Sequence, residues 1–212
     1  FCLLALALGT SAADAPTPSP PVVRGVHLTG WVAGSAKNRA KFISEIKAAG
    51  LNAVVIALKE YDGKVFVPGV ALAGEIGAYT PAIPDLPRCV RDFREAGIYT
   101  IGRIVLFKDD TLARKRPEWA VHRPDGSIWT NDNGVAWVDP YRREVWDYNL
   151  AIASRAAAAG FDEIQLDYIR FPSDGKISLC RYSNPDHTPK AASANLMDFL
   201  AQAKARLRAF GV

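Results

Sequence analysis

The chain has 212 residues, 49% of them hydrophobic and 23% charged, so it can bury a substantial core and is not compositionally disordered. Its formal net charge is +4, and the basic residues are scattered among acidic ones rather than collected in a stripe. This distribution argues against a nucleic-acid partner.

The first 15 residues, FCLLALALGTSAADA, are typical of the apolar core and cleavage region of a secretory signal peptide. The run is too short for a membrane-spanning helix, and the alternative is a buried helix of the folded domain. Residues 16–23, PTPSPPVV, predict a Pro-rich extended linker that does not pack. We therefore expect a secreted, periplasmic or cell-surface protein without a membrane span, whose folded domain covers residues 24–212.

A glycine that stops a helix, followed by an apolar segment, recurs along the chain. AAGLNAVVIAL begins at Ala48, EAGIYTIGRIVLF at Glu95 and AAGFDEIQLDYIRF at Ala158, and RAFGV begins a further unit at Arg208. The left-handed stops are Gly50, Gly97, Gly160 and Gly211. With RGVHLTGW at Arg24, the pattern predicts four strands before the end of the sequence.

The helices between these strands have readable starts and faces. Ser35, Asp85 and Asp139 are predicted N-caps, because their side chains can accept hydrogen bonds from a first helical turn. The predicted buried faces are Ala40, Ile43 and Ile46, then Leu86, Val90 and Phe93, then Val145, Tyr148 and Ile152. A last helix is expected from about Lys190 to Ala209. Alternating strands and helices indicate parallel strands with right-handed crossovers.

Residues 160–172, GFDEIQLDYIRFP, distinguish two α/β architectures, an open doubly wound sheet and part of a barrel. Ile164 and Leu166 alternate with Glu163, Gln165 and Asp167, so the strand has one polar face. A polar face is expected inside a barrel but not in a sheet covered by helices on both sides. No complete Gly-rich phosphate loop follows the first strand.

The sequence therefore predicts an α/β fold, a (β/α)8 TIM-type barrel that is incomplete and contains about the first four βα units. The alternative is a complete half-barrel domain, which would leave a hydrophobic sheet edge exposed.

Two predicted loops, residues 60–84 and residues 108–138, are longer than a minimal βα unit needs. In the second, WAVHRPDGSIWT alternates around a Pro-Asp-Gly turn and predicts a hairpin. The NDNG segment at residues 131–134 lacks the spacing and the distal Glu of an EF-hand, so we expect a turn there rather than a calcium site.

Asp167 is the predicted catalytic residue. It lies at the carboxyl end of the fourth strand, where barrel enzymes carry their chemistry, and Tyr168 and Arg170 follow it. A carboxylate there can act as a nucleophile, as a base or as a stabiliser of a developing cation. The alternative is a structural ion pair with Arg170 or Arg103.

Charged residues near other strand ends are further candidates. Arg103 interrupts an apolar strand and needs an acidic partner. Lys59, followed by Glu60, lies either in the pocket or among solvated loop charges. Asp139 either only caps a helix or also faces the pocket. The predicted substrate-binding residues are Asp139, Tyr168, Arg170, Gln165, Trp137, Lys59 and Arg103.

Four tryptophans, Trp119, Trp129, Trp137 and Trp146, fall within 28 residues. Flat aromatic faces suit the apolar faces of sugar rings, and we expect one of them, Trp137 or Trp129, to contact a ligand. The histidines are widely separated and the cysteines lack zinc-ligand spacing, so no metal and no cofactor is expected. Cys89 and Cys180 can pair or remain free.

Six segments, taken together, resemble a known family. They are VVRGVHLTGW, LNAVVIALKEYDGKV, GIYTIGRIVLFKDD, RPEWAV, WVDPYRREVWDYN and GFDEIQLDYIRFPSDG. They resemble a family of predicted glycosyl hydrolases, classed as a domain of unknown function and distantly similar to the alpha-amylase-like barrels. The resemblance covers about residues 23–175 and implies a (β/α)8 barrel that acts on glycans outside the cytoplasm.

The resemblance also implies residue roles. Asp167 matches the nucleophile at the end of strand four, and Gln165 stands where those enzymes usually have an arginine. Ala57, in VIALK, stands where an acidic residue is expected, as in VIDVK. The corresponding proton donor would follow Val212, at the end of strand five.

The sequence thus supports two functions. The first is the amino-terminal part of a secreted glycoside hydrolase with a glycan substrate. The second is a non-catalytic carbohydrate-binding barrel of the cell surface. A barrel of another class, such as a deacetylase, would need a metal cluster that the sequence does not offer.

Overall fold

The computed structural model describes residues 18–212. The predicted signal peptide and the first residues of the predicted linker lie outside the described residues. In chain order the elements are β1 (Gly25–Leu28), α1 (Gly30–Gly34), α2 (Ala36–Ala48), β2 (Ala53–Lys59), α3 (Ala71–Glu75), α4 (Leu86–Glu95), β3 (Tyr99–Val105), α5 (Asp110–Lys115), α6 (Arg143–Ala158), β4 (Glu163–Asp167) and α7 (Pro189–Leu207).

The strands form one parallel sheet in the order β1-β2-β3-β4. Each strand pairs with the next one along the chain, and a helix lies in each crossover. Strands of a barrel follow one another in this way, whereas the order of a doubly wound sheet reverses at a switch point. The fold prediction is confirmed, because the described residues form part of a TIM-type barrel.

The two faces of the sheet have different coverings. Val54, Ile56 and Ile104 are fully buried in the main core, which the helices cover. On the other face, the inner side of the barrel, Ala53, Tyr99 and Ile101 form a small separate apolar cluster. This apolar cluster lies in the amino-terminal half of the strands, and the polar side chains of Arg103, Gln165 and Asp167 lie nearer the carboxyl ends.

Local sequence signals place most element boundaries. Gly50, Gly97 and Gly160 have positive φ angles of 66°, 76° and 98°, as predicted for helix stops. Ser35 caps α2 and Asp85 caps α4, where its Oδ1 accepts the Arg88 N–H at 3.0 Å. The apolar face of α4 is buried as predicted.

The buried face of α2 differs from the prediction. Ala40 is exposed, and Arg39 is the inward residue instead. Its Nη2 lies 2.8 Å from Asp92 Oδ2, and its Nη1 donates to the Ala33 carbonyl at 2.8 Å. A buried guanidinium requires such partners, and Asp92 on α4 cannot be identified as one from the sequence alone.

The start of α6 also differs from the prediction. Asp139 was expected as its N-cap, but α6 begins at Arg143, and Arg142 is the N-cap. The Asp139 side chain instead accepts the backbone N–H of Tyr141 at 3.0 Å and that of Ser183 at 2.6 Å. The competing donor, Ser183, is 44 residues away in the sequence and therefore gives no local signal. The predicted buried face of α6 is confirmed.

The loop between β3 and α6 is ordered by two tight turns. The predicted hairpin turn at residues 123–127 is present, with Arg123 N–H donating to Ser127 O and His122 bridging to Ile128. The second turn follows Asn131, whose side chain accepts the N–H groups of Asn133 and Val135. These arms form isolated bridges rather than full strands.

The described part of the Pro-rich linker contacts the domain. Asn52, before β2, donates its side-chain amide to Val22 O and accepts the Arg24 N–H, both at 2.7 Å. Ser19 and Tyr99 line the same shallow pocket near the chain end. Residues 18–23 thus have a few contacts with the domain but stay largely exposed, with Val22 at 59% and Val23 at 43%.

Cys89 and Cys180 are both free and buried. Within residues 18–212, the helices are too short or too polar to cross a membrane.

Candidate active site

Asp167 ends β4 on the inner face of the barrel. Its carboxylate Oδ2 accepts Nε of Arg103 at 2.7 Å and lies 2.6 Å from Nη2 of the same guanidinium. Its Oδ1 accepts the backbone N–H of Tyr168 at 2.7 Å. The Asp167 side chain is still 33% exposed, so these bonds orient the carboxylate without closing it off from a ligand.

Arg103 joins Asp167 to a second carboxylate. Its Nη1 lies 3.4 Å from Oε2 of Glu60, the residue that follows β2. The three side chains come from three neighbouring strand ends, and we call them the Arg103 cluster. The ion pair with Asp167 that the sequence offered as a structural alternative is therefore present. The sequence placed Glu60 among possible pocket charges but not among the predicted site residues.

Gln165 lies on the same inner face, two residues before Asp167, and is exposed. It is the register partner of Arg103 across the β3–β4 pair. The resemblance leads one to expect an arginine at position 165. Arg103, on the neighbouring strand β3 and in register with Gln165, supplies a guanidinium at this level instead. Ala57 is the register partner of Arg103 on the other side and is fully buried.

Tyr168 has an unusual backbone. Its φ is +51°, and it is the one non-glycine residue with positive φ among residues 18–212. Such a conformation costs free energy and is common at functional sites. Its ring lies 6.0 Å from that of Trp137, and the cations of Lys108 and Arg170 lie 5.3 Å and 5.1 Å from its centre. Tyr168 and Arg170 therefore form one stacked wall beside Asp167.

Lys59 is not placed to bind substrate. Its side chain has no exposed surface and lies 2.8 Å from the Asp109 carboxylate, while Nζ also donates to Asn149 Oδ1 at 2.9 Å. Burial lowers the pKa of the Lys59 ammonium, and the adjacent Asp109 carboxylate partly offsets this effect. The register of β2 against β3 shifts between Ala57 and Lys59, and the lysine points toward α6 instead of the inner face.

One of two tryptophans, Trp137 or Trp129, was expected to contact a ligand, but neither has any exposed surface. Trp137 instead contacts the Tyr168 ring, and its own ring centre lies 5.3 Å from the guanidinium carbon of Arg170. Trp129 donates its ring N–H to Lys176 O. The exposed rings near the strand ends are Trp31, which follows β1 and is 58% exposed, and Tyr61, which follows Glu60 and is 49% exposed. Their position directly after a strand was the sequence signal that could have identified them.

Asp139, the remaining predicted site residue, is buried to 99% of its surface and bonded to two backbone N–H groups. It can act on a ligand only by holding the segments around it. Among residues 18–212, no group of three or more His, Cys, Asp or Glu side chains could hold a metal ion.

A family model described as "Putative glycosyl hydrolase domain" matches residues 25–212. The chain belongs to this glycosyl hydrolase family. A search of curated proteins found no match to the sequence.

The chain is also similar in fold to solved structures. A hypothetical protein from Ruminiclostridium thermocellum is 32% identical, with a TM-score of 0.77 over 85% of this chain and 92% of that one. TtGalA, an alpha-galactosidase from Thermus thermophilus, is 16% identical, with a TM-score of 0.55 over 93% of this chain and 38% of that one. Alpha-L-fucosidase isoenzyme 2 from Paenibacillus thiaminolyticus is 16% identical, with a TM-score of 0.61 over 89% of this chain and 30% of that one. At 16% identity the two glycosidases show a shared fold.

Within this glycosyl hydrolase domain, the Arg103 cluster offers a defined chemistry. One carboxylate is held on both oxygens, and a neighbouring guanidinium supplies the opposite charge. A carboxylate fixed in this way can attack a carbon that carries developing positive charge, or can deprotonate a water.

Proposed function

We propose that the chain is part of a glycoside hydrolase that cleaves O-glycosidic bonds in a poly- or oligosaccharide, with Asp167 as its nucleophile or base. The observation that carries this proposal is the position of Asp167, which is partly exposed at the carboxyl end of β4 and clamped by Arg103. Active sites of TIM barrels lie at this end of the strands. Membership of a glycosyl hydrolase family supports the same chemistry.

Glycoside hydrolysis requires a second carboxyl group. In retaining enzymes the two groups lie about 5–5.5 Å apart, and in inverting enzymes about 6.5–9.5 Å apart, with room for a water. Glu60 is a candidate, because it contacts the guanidinium that holds Asp167. A donor that follows Val212, as the resemblance implies, is the alternative. Glu60→Gln separates the two candidate proton donors, because it removes a carboxyl group only from the Arg103 cluster. Hydrolysis should fall if Glu60 is the donor and persist if the donor follows Val212.

The substrate class can be narrowed by the names of the structural neighbours. They include alpha-galactosidases, an alpha-L-fucosidase and a maltogenic alpha-amylase. We therefore propose that the scissile bond is an alpha-glycosidic one. Nitrophenyl alpha-galactoside, nitrophenyl alpha-fucoside and malto-oligosaccharides form the first substrate panel.

Action outside the cytoplasm is part of the proposal. Its support is the apolar segment of residues 1–15 with small residues at Ala13 and Ala15. Fractionation of cells that express the chain, followed by amino-terminal sequencing, tests it. Cleavage near Ala13 or Ala15 and recovery outside the cytoplasm are expected, and an uncleaved cytoplasmic chain would contradict export.

The central test is Asp167→Asn in the longest form of the protein. It keeps the size of the side chain but removes its charge and replaces one accepting oxygen by a donating NH2 group. Hydrolysis should therefore fall about 10²–10⁴-fold while the fold is retained. The matched control is Asp147→Asn, because Asp147 is an exposed carboxylate on α6. Asp147→Asn should keep its turnover. Equal turnover by the two variants would remove Asp167 from the mechanism.

The second candidate function is a non-catalytic carbohydrate-binding barrel. Two observations favour it: Ala57 on the inner face, where the resemblance leads one to expect an acid, and the exposed rings of Trp31 and Tyr61. Glycan binding that survives Asp167→Asn, without products from any bound sugar, would support this function over hydrolysis.

A further inference from the structure

The segment between β4 and α7 forms a pocket of its own. Its volume is about 470 Å³, which lies in the range of about 300–1,000 Å³ that is typical of small-molecule sites. Asp167 and the other members of the Arg103 cluster do not line it. We call it the aromatic pocket. Its lining residues are Phe171, Pro172, Ile177, Ser178, Cys180, Arg181, Tyr182, Asn184, Pro185 and His187.

Aromatic rings form one wall of the aromatic pocket. Tyr182 and His187 have ring centres 4.3 Å apart, and Phe171 lies 4.9 Å from His187. Tyr141 packs behind them, with its hydroxyl 3.0 Å from Nδ1 of His187. Burial lowers the pKa of His187 and raises that of Tyr182, so both rings are favoured in their neutral forms.

The polar groups of the aromatic pocket suit a neutral, hydroxylated ligand. No carboxylate lines it. The guanidinium of Arg181, its one charged lining group, donates through Nη1 to the carbonyls of Ser178 and Cys180. Asn184 and Ser178 add an amide and a hydroxyl to the wall. Flat rings beside hydroxyl and amide groups match a sugar ring, which has apolar C–H faces and a polar edge.

The aromatic pocket is held in place from several sides. Asp139 accepts N–H groups of both Tyr141 and Ser183, and so joins the segment before α6 to the segment before α7. Residue His122 of the hairpin forms an antiparallel bridge with Arg181. Trp129 holds the Lys176 carbonyl at 3.1 Å. This bonding explains the buried Asp139 and makes the aromatic pocket a preformed site.

The segment that forms the aromatic pocket follows Asp167 directly along the chain. Asp167 ends β4, and the aromatic pocket lies in the segment between this strand end and the start of α7, where active sites of TIM barrels are built. Phe171 follows Asp167 by four residues, which limits the separation of their backbones to about 14 Å. One oligosaccharide chain can therefore reach both places.

We propose that the aromatic pocket is a glycan subsite. It holds a neutral sugar unit of the same oligosaccharide on which Asp167 acts. This inference rests on the proposed function for the choice of ligand, but its test reads binding alone. The aromatic pocket would anchor a polymer beside the Arg103 cluster, so it would affect the binding of long glycans.

The test is affinity electrophoresis of the full chain in gels that contain glycogen, pullulan or galactomannan. All variants carry Asp167→Asn, so that the polysaccharide is not consumed. Adding His187→Ala, or Asn184→Ala on the same wall, should weaken binding about five-fold, because a stacked ring or a hydrogen bond to the sugar is lost. The matched control is Phe210→Ala, which removes a similarly exposed ring after α7, at the opposite end of the barrel.

The outcomes separate the inference from the proposed function. Weaker binding by both wall variants, with folding retained by circular dichroism and Phe210→Ala unchanged, supports the aromatic pocket as a glycan subsite. No binding to any of the three polysaccharides, or equal binding by the wall variants and the control, overturns it. If the pocket inference fails in this way, cleavage by the chain with Asp167 intact would still support the proposed hydrolysis. If the wall variants bind more weakly but the chain with Asp167 intact cleaves no glycan, hydrolysis alone is overturned.

Discussion

Asp167 and Lys59 both end strands of the sheet, yet their surroundings give them opposite roles. Asp167 keeps a third of its side chain exposed, and Arg103 orients it on the open inner face. Lys59 lies beyond a register shift and is enclosed by Asp109, Asn149 and two carbonyls at the end of β3. An exposed, oriented charge can act on a ligand, whereas a fully buried ion pair can only hold structure.

Replacing Lys59 by Met should therefore be severely destabilising. The change leaves the Asp109 carboxylate buried without its cation, and we expect a loss of about 3–5 kcal/mol in the free energy of unfolding. Lys64→Met is the matched control, because Lys64 pairs with Asp62 at the surface and should contribute no more than about 1 kcal/mol. Urea unfolding measures both. A loss at Lys59 as small as that at Lys64 would show that the buried pair is not what holds this end of the sheet.

At the scale of single residues, strand alternation predicted the candidate site only in part. It placed Asp167 and Gln165 on the inner face, because β4 is regular over its length. Lys59 was expected in the pocket or among solvated loop charges because of its place at a strand end, but a shift in strand register accompanies its burial against Asp109. The local sequence carries no signal of such a shift. It could not show that Trp137 is buried, since the segments that cover Trp137 come from distant parts of the chain.

Helix boundaries that depend on residues nearby in the sequence were predictable. Helix boundaries that depend on residues far away in the sequence were not. The stops at Gly50, Gly97 and Gly160 and the cap at Asp85 need only residues within one turn. The start of α6 depends on Asp139, whose carboxylate is bonded to Ser183 across the fold. Long-range competition of this kind has no local signature. The predicted start of α6 therefore lies several residues before the observed one.

Asp85 offers a direct test of an element boundary. Asp85→Ala removes the acceptor for the Arg88 N–H at the start of α4 and should cost about 1 kcal/mol in the free energy of unfolding. Asp85→Asn is the matched control, because Asn caps helices about as well as Asp and should change stability little. Chemical denaturation of both variants decides the matter. Equal losses would mean that the charge, rather than the cap hydrogen bond, stabilises α4.

At the scale of the whole molecule, the helices and long loops share one core. Cys89, on α4, and Cys180, in the segment before α7, belong to the same buried cluster although they are far apart in the sequence. The long loops are thus part of the main core rather than an attachment to it. The rim that carries Asp167 and the aromatic pocket is therefore expected to unfold with the rest of the domain.

Thiol labelling tests whether the rim unfolds together with the rest of the domain. Burial raises the pKa of Cys89 to about 12, and that of Cys180 rises for the same reason. At pH 8, iodoacetamide should label both peptides slowly in the native chain, and both labelling rates should rise at the same guanidinium concentration, as measured by mass spectrometry. Because the folded pKa of Cys89 exceeds its unfolded one, this thiol contributes its full stability below about pH 8.5, and that contribution is lost as pH rises toward 12. A rise in Cys180 labelling at a lower guanidinium concentration than that of Cys89 would show that the rim unfolds independently. A product that is labelled only after reduction would show that the two cysteines are paired.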